Sequence, residues 1–374
     1  CRPTRVATVP GPGYDAGSAV SNRFPPCFRG SPVNEPARRR SLLERYLLLW
    51  LILSSGLAMV WPQVWELIHA GLPETAATYL RADFDPFVES RVYRGEPQPW
   101  LTLTVVVTMF AVGCLLPADE IRQVMKRWPT VIGGTAVQYT SMPLLAWGLA
   151  TLFRLPDDLR IGVIMVGCVP GAMASNVLTL AAKGNISYSV SLTTSATLLS
   201  PVIVPVVMWL TLGKSVEASV FVEASVRLLR EVVLPVVAGY TLCRLSDRFR
   251  RISHRVAGPI ANLAILWIIA VVVGLNRDRI MALSGTLFAV LLLLNLLGYL
   301  AGWLGGSGLK LTTGMRRALM LEVGMQNAGV GAKLASDLFE GSTTTMIPAA
   351  IYAFGCMLTG TILAHFMARR SGES

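Results

Sequence analysis

Residues 320–334 read M-L-E-V-G-M-Q-N-A-G-V-G-A-K-L and place a carboxylate, Glu322, inside an apolar run that is long enough to cross a bilayer. An ionisable side chain in hydrocarbon costs several kcal/mol, so it is rarely found there without a polar partner or a water-filled path. Glycines interrupt the run on both sides of the amides Gln326 and Asn327. Because opened backbone is tolerated in a membrane only where it lines a cavity, the run predicts a broken helix that presents oxygen atoms at mid-membrane depth.

A second interrupted segment lies earlier in the chain, at residues 166–184. Proline lacks an N–H and restrains the residue before it, so this helix should break near Pro170 and Gly171. Ser175 and Asn176 follow the break, as the two amides follow the glycine of the later segment. Two Gly/Pro-interrupted apolar segments at matching places in two halves indicate a transporter binding site. Close helix packing, with Ser and Asn bonding a neighbouring helix, is the alternative for either segment alone.

The composition is that of a membrane protein with many spans. Of 374 residues, 53% are hydrophobic and only 15% are charged, whereas soluble domains carry about 25% charged residues. The net charge of +11 does not indicate nucleic acid, because Lys and Arg accumulate in the cytoplasmic loops of membrane proteins. The six cysteines have no metal-ligand spacing and no pairing pattern, so we predict no metal cluster, no disulfide framework and no cofactor.

The apolar runs predict ten spanning helices between two tails. Residues 1–40 are rich in Pro, Gly, Ser and Arg and are predicted to be a disordered cytoplasmic tail. Residues 41–368 form the ten-helix domain, a polar insertion at 63–99 lies on the outer side, and 369–374 form a cytoplasmic tail. The predicted spans are 45–62, 100–117, 130–153, 160–182, 186–212, 226–245, 256–275, 280–304, 313–339 and 344–368.

The order of these spans indicates two inverted repeats. The interrupted helix is the fourth of five in each half, and an odd number of spans per half forces opposite orientations. Basic residues are more frequent at the ends and loops that share a side with both tails, which predicts that both termini are cytoplasmic. The fold class is therefore an all-α membrane protein with ten transmembrane helices in two inverted five-helix repeats.

Five motifs resemble those of the bile acid–sodium symporter family, in its bacterial form. They are E-V-G-M-Q-N at 322–327, P-G-x-x-x-S-N at 170–176 with the K-G-N that follows, N-L-L-G-Y at 295–299 and M-F-A-V-G at 109–113. The resemblance covers about residues 46–368. It implies a panel domain of helices 1, 2, 6 and 7, a core domain of helices 3, 4, 5, 8, 9 and 10, and discontinuous fourth and ninth helices that cross at their unwound centres. It also implies a bacterial inner membrane.

The same resemblance implies two sodium ions behind the crossing. Sodium prefers oxygen ligands, which these side chains supply. The first ion would be bound by Ser175, Asn176, Ser189, Thr193 and Glu322. The second would be bound by Gln138, Glu322, Gln326 and the backbone oxygens of Val323 and Met325. Ser189 and Thr193 are four residues apart and share a helical face, whereas an interhelical hydrogen bond explains Gln138 equally well.

The substrate side departs from the family members that take up bile acids. Those members carry polar residues in the tenth helix and just before the Ser-Asn pair, where this chain has Phe354, Gly355, Cys356 and Met173. The resemblance therefore implies that the sodium machinery is retained and that the pocket is not the bile-acid one. The predicted substrate-side residues are Asn327, Met173 and Ala174.

The leading hypothesis is a secondary transporter that couples inward sodium flow to uptake of a small organic anion by alternating access. Broken helices present N-terminal dipole ends, which favour anionic groups. A proton-coupled carrier that uses Glu322 and a membrane sensor that binds without transport are the alternatives. An intramembrane hydrolase is disfavoured, because His69, His254 and His365 all fall in loops or near span ends and no hydrolase motif is found. The oligomeric state stays open.

Overall fold

The computed structural model describes residues 47–60, 99–117, 124, 127–213, 217–281, 285–339 and 343–370. The predicted tail at 1–40, residues 371–374 of the predicted tail at 369–374, and residues 63–98 of the predicted insertion lie outside the described residues, whereas residues 369 and 370 are helical. The predictions about them stay predictions.

Across the described residues the chain forms fourteen α-helices, one π-helical turn and one 3-10 turn. The helices are α1 (Leu47–Met59), α2 (Pro99–Leu115), α3 (Trp128–Leu152), α4 (Asp157–Cys168), α5 (Ala174–Ala181), α6 (Ile186–Leu212), α7 (Ala218–Leu228), α8 (Leu234–Leu245), α9 (Asp247–Leu275), α10 (Arg277–Met281), α11 (Gly285–Gly308), α12 (Thr313–Gly324), α13 (Ala328–Leu338) and α14 (Ile347–Arg370). The π turn is Leu229–Val233, and the 3-10 turn is Thr343–Met346.

Four of these helices, α6, α9, α11 and α14, are long and apolar enough to cross a membrane. Two shorter apolar helices, α1 and α2, accompany them. Large apolar side chains on the long helices point outward, among them Leu210, Leu304 and Ile362. Such a surface is stable only in apolar surroundings. The described part of the chain is thus an all-helical membrane protein, which confirms the class that the composition predicted.

Two of the predicted spans are interrupted, as the proline and the glycines predicted. The fourth span is divided into α4 and α5 by an extended link that begins at Val169 (φ −74°, ψ 159°) and includes Pro170. The ninth span is divided into α12 and α13, with Met325 extended (φ −119°, ψ 96°). Each break leaves backbone N–H and C=O groups without partners inside their own helices.

The two largest errors in the predicted span boundaries exceed two helical turns. The sixth span was predicted to begin at residue 226, but the chain is helical from Ala218 and continues through the π turn into α8. The seventh was predicted to begin at 256, but α9 begins at Asp247, where the side chain of Ser246 accepts a hydrogen bond from the N–H of Phe249 at 3.2 Å. At α9 the first residues are mostly polar and carry no hydropathy signal, whereas the capping bond of Ser246 does not depend on hydropathy.

The helices pack in two neighbourhoods. Helices α1, α2, α8 and α9 pack mainly on one another. Helices α3, α4, α6, α11, α12 and α14 surround the two breaks and bury most of the apolar core. Helix α13 contacts members of both neighbourhoods, including α4, α14, α7, α2 and α9.

Candidate functional site

The two helix breaks are hydrogen-bonded to each other. The N–H of Ala172 donates to the carbonyl of Met325 at 2.8 Å, and the N–H of Asn327 donates to the carbonyl of Pro170 at 2.8 Å. These bonds form a short antiparallel bridge between segments that are more than 150 residues apart. Because a buried backbone group without a partner is costly, each break supplies the partners that the other one needs.

The carboxylate of Glu322 lies fully buried beside this bridge. One of its oxygens accepts a hydrogen bond from the hydroxyl of Ser175 on α5, and the other accepts one from the hydroxyl of Thr193 on α6 at 2.8 Å. A β-carbon at Gly171 would lie 2.2 Å from the nearer carboxylate oxygen. Three helices and the first break therefore converge on one acidic group.

The hydroxyl of Thr193 has more oxygen neighbours than it has protons. Besides Glu322, its oxygen lies 3.5 Å from Oδ1 of Asn176 and 3.1 Å from the carbonyl of Ser189. One hydroxyl proton cannot satisfy three acceptors. The side chain of Ser189 faces the hydroxyl of Thr179 at 3.2 Å, so it lies at the edge of this oxygen cluster rather than on the carboxylate.

A second polar group lies at the break between α12 and α13. Nε2 of Gln138 donates to Oε1 of Gln326 at 3.4 Å, and Nε2 of Gln326 donates to the carbonyl of Val323 at 2.9 Å. The carbonyl of Met325 is engaged by the other break, as described above. Oε1 of Gln138 is buried and has no hydrogen-bond partner among the described residues. Gln138, Gln326 and the carbonyl of Val323 are thus linked by hydrogen bonds, with one buried oxygen left unsatisfied.

The three predicted substrate-side residues lie at the N-terminal ends of α5 and α13. Met173 and Ala174 begin α5 and are half-buried, and the sulfur of Met173 accepts from Nδ2 of Asn176 at 3.9 Å. Asn327 is half-buried and caps α13, because its Oδ1 accepts from the N–H of Val330 at 3.2 Å. Capping uses the oxygen of this carboxamide, so its NH₂ group is the part that can donate to a bound molecule.

A polar network that the sequence reasoning missed holds the end of α12. The carbonyl of Gly324 accepts from Nδ2 of Asn295 at 2.7 Å and from the hydroxyl of Tyr352 at 2.8 Å. Thr359 in turn donates to Oδ1 of Asn295 at 2.6 Å. The ring of Tyr299 packs so closely on Gly324 that a β-carbon would lie 2.2 Å from it. The sequence signal for this network is Asn295, a polar residue in a mainly apolar run. In the sequence analysis the run 295–299 served only as a family motif.

Buried charges on α13 were also missed. Lys333 and Asp337 form an ion pair one turn apart, and Asp337 binds Arg227 of α7 as well. Arg227 is itself only 19% exposed in this pair. A Lys and an Asp four residues apart in an apolar helix is a signal that could have found the pair.

The sequence is similar to those of known transporters. A family model described as the sodium bile acid symporter family matches residues 102–283, which include the first break. A protein of Bacillus subtilis (strain 168), named as an uncharacterized sodium-dependent transporter, is 35% identical over 280 residues, which are 72% of this chain and 84% of the relative.

More distant relatives come from plants and animals. A probable chloroplastic sodium/metabolite cotransporter of Arabidopsis thaliana is 30% identical over 265 residues, which are 71% of this chain and 66% of the relative. Sodium/bile acid cotransporter 4 of Homo sapiens is 24% identical over 229 residues, which are 59% of this chain and 52% of the relative. The chain therefore belongs to the sodium bile acid symporter family, a family of integral membrane transporters and not of enzymes.

Proposed function

We propose that this chain is a secondary active transporter that couples inward sodium flow to the uptake of a small organic anion by alternating access. The observation that carries the proposal is the buried carboxylate of Glu322, which receives hydroxyl groups from α5 and α6 beside two hydrogen-bonded helix breaks. The names of the relatives support sodium as the coupling ion.

The surroundings of Thr193 favour a cation over a proton. Its oxygen lies among a carboxylate, a carboxamide oxygen and a backbone carbonyl. A proton on the carboxylate would satisfy one of these contacts, whereas a hard cation accepts lone pairs from all of them at once. The proposed ligands of the first sodium are Ser175, Asn176, Ser189, Thr193 and Glu322.

The unsatisfied oxygen of Gln138 supports a second ion. A buried acceptor without a partner costs about 1–3 kcal/mol, and a sodium ion beside the second break would supply the missing partner. The proposed ligands are Gln138, Glu322, Gln326 and the carbonyl oxygens of Val323 and Met325. The two carbonyls already accept one hydrogen bond each, and a carbonyl has a second lone pair.

The finer architecture is part of this proposal. We infer ten transmembrane helices in two inverted five-helix repeats, in which α4 with α5 and α12 with α13 are the discontinuous fourth and ninth spans. The panel and core domains, the two cytoplasmic termini and the bacterial inner membrane are inferred with it. The bridge between the breaks supports the crossing of the two spans.

The substrate is proposed to be a small carboxylate or sulfonate. Helices α5 and α13 both begin at the crossing, and helix N-termini favour anionic groups. Asn327, Met173 and Ala174 are the proposed substrate-side residues. Phe354 and Cys356 of α14 are apolar where bile-acid carriers are polar, so a different organic anion is proposed. No cofactor besides the coupling ion is part of the proposal.

The experiment is uptake into proteoliposomes with a panel of labelled organic acids. We expect one or more acids to accumulate with an inward sodium gradient and not with an equal potassium gradient. Accumulation that ignores sodium but follows a proton gradient would instead make Glu322 the titrating group of a proton-coupled carrier. Saturable binding without accumulation of any acid would indicate a sensor and overturn the proposal.

A further inference from the structure

A buried group of charges joins α13 to the segment that contains α7 and the π turn. Helix α13 contributes Lys333 and Asp337, and the other segment contributes Arg227 and Glu231. Lys333, Glu231 and Asp337 are each less than 9% exposed. Charges are rarely buried so deeply unless they are paired, so the arrangement of the pairs is informative.

Two ion pairs cross between the two segments. Nζ of Lys333 lies 3.5 Å from Oε2 of Glu231, and an Nη atom of Arg227 lies 3.0 Å from Oδ2 of Asp337. Each segment thus presents one cation and one anion to the opposite charges of the other. The interface is electrically neutral, and no charge in it requires a further ligand.

Each of the four charges also has a partner on its own segment. Lys333 is paired with Asp337. Glu231 accepts from Arg230 at 2.7 Å, and Arg227 donates to Glu223 at 2.6 Å. If the two segments moved apart, all four charges would keep a counter-ion. This matters because a buried charge that loses its partner is strongly destabilising, and separation of the two segments would leave none of the four charges in that state.

The group lies where movement would affect the helix crossing. Helix α13 begins at the second break, capped by Asn327, and Lys333 lies about 9 Å farther along the helix axis at 1.5 Å per residue. Glu231 lies in the π turn, a backbone feature that occurs often at functional sites in helices. The ion pairs therefore join a helix that begins at a break to a segment that contains a π turn.

We propose that Arg227 and Glu231, together with Lys333 and Asp337, form a releasable latch. The latch holds α7 and the π turn against α13 in the conformation described here, and it opens when the helices around the crossing rearrange. The inference rests on the proposed function in one respect, because transport by alternating access requires two conformations. The two crossing pairs favour the closed state, and the pairs within each segment leave every charge with a counter-ion in the open state.

The test measures distances rather than transport. The native cysteines are replaced by alanine, and spin labels are attached at Val222→Cys on α7 and Leu152→Cys at the end of α3, both of which are highly exposed. Double electron–electron resonance then gives the distance distribution in nanodiscs. The latch variant is Arg227→Gln/Glu231→Gln, which removes both crossing pairs and leaves Lys333 paired with Asp337.

The matched control is Glu223→Gln/Arg230→Gln, on the same segment. It makes the same change in charge, but its side chains are 46% and 63% exposed and have no ion pair with α13 in the described part of the chain. We expect the latch variant to raise the population of a longer distance by about 5-fold or more, and the control to leave the distribution unchanged. An unchanged distribution in the latch variant, or a single distance with lower thermal stability, would overturn the latch.

A second variant keeps the test decisive if the first one does not fold. Lys333→Met/Asp337→Leu removes the other half of the group and fills its volume with apolar atoms, a change that buried ion pairs often tolerate. The remaining charges stay paired within their own segment. We expect the same rise in the population of the longer distance, and its absence would contradict the proposal. Because no substrate is needed, failure of the latch leaves the proposed function untouched, and the uptake panel tests that function separately.

Discussion

Gly171 and Glu322 fit together so closely that no larger residue can replace the glycine without moving the carboxylate. A β-carbon on Gly171 would lie 2.2 Å from Oε1 of Glu322 and 2.7 Å from its Cδ. The φ angle of Gly171 is not in the left-handed region, so backbone strain is not the reason for a glycine at this position. The glycine is therefore required by the space that the acid occupies.

Gly171→Ala should weaken the response to sodium, because the carboxylate must leave its hydroxyl partners. We expect the sodium concentration that gives half of the maximal thermal stabilisation to rise at least about 10-fold, since hydrogen bonds to charged groups contribute about 1.5–3 kcal/mol. Thermal unfolding in detergent with NaCl or KCl measures it. Gly148→Ala on α3 is the control, because its new β-carbon meets no atom within 4 Å. An identical sodium response in both variants would disprove the steric argument.

Glu322→Ala should abolish sodium-dependent uptake, because its carboxylate is proposed to bind both ions. Glu322→Gln keeps the shape of the side chain and removes its charge, so it should also lose stabilisation by NaCl relative to KCl. Glu223→Gln, which neutralises a carboxylate that is 46% exposed, is the control. Retention of full sodium dependence in the Glu322 variants would remove the main support for the proposed sites.

The positions of the breaks could be predicted because their causes are local. Pro170 lacks an N–H whatever surrounds it, and glycines weaken a helix through their own backbone freedom. The cluster of Ser175, Thr193 and Glu322 was implied by a resemblance, since nothing local relates Thr193 to a residue 129 positions away. Only the packing of three helices brings their side chains into contact.

Other features could not be read from a single sequence. The neighbours of Gln138 come from a break 188 residues later, so an interhelical bond and an ion ligand were equally consistent with the run alone. The pairing of Arg227 with Asp337 has no local signal, because the two residues belong to different helices. The early start of α9 was missed because its polar first residues, 247–255, carry no hydropathy signal.

Gln138→Leu should change stability little without sodium and lower it when sodium is present. In KCl the stability should change little, because the variant removes one buried oxygen without a partner, Oε1 of Gln138, and takes the weak 3.4 Å donor away from another, Oε1 of Gln326. In NaCl it should gain less stability, because the second ion loses a ligand. Thermal unfolding across a sodium titration measures both. Thr140→Val, on the exposed face of α3, is the control. A loss of stability in KCl equal to that in NaCl would assign Gln138 a structural role.

Asn327→Ala should reduce uptake of the transported acid by about 10-fold or more while leaving stabilisation by sodium nearly intact, because a lost hydrogen bond to a charged group is worth about 1.5–3 kcal/mol. Asn327 also caps α13, and loss of a cap costs about 1 kcal/mol. Asn327→Ser separates the two roles, since serine caps a helix well but has no NH₂ group to offer a carboxylate. Uptake should therefore stay low in Asn327→Ser although thermal stability recovers. If uptake recovers together with stability, capping is the function of Asn327 and the substrate is bound elsewhere.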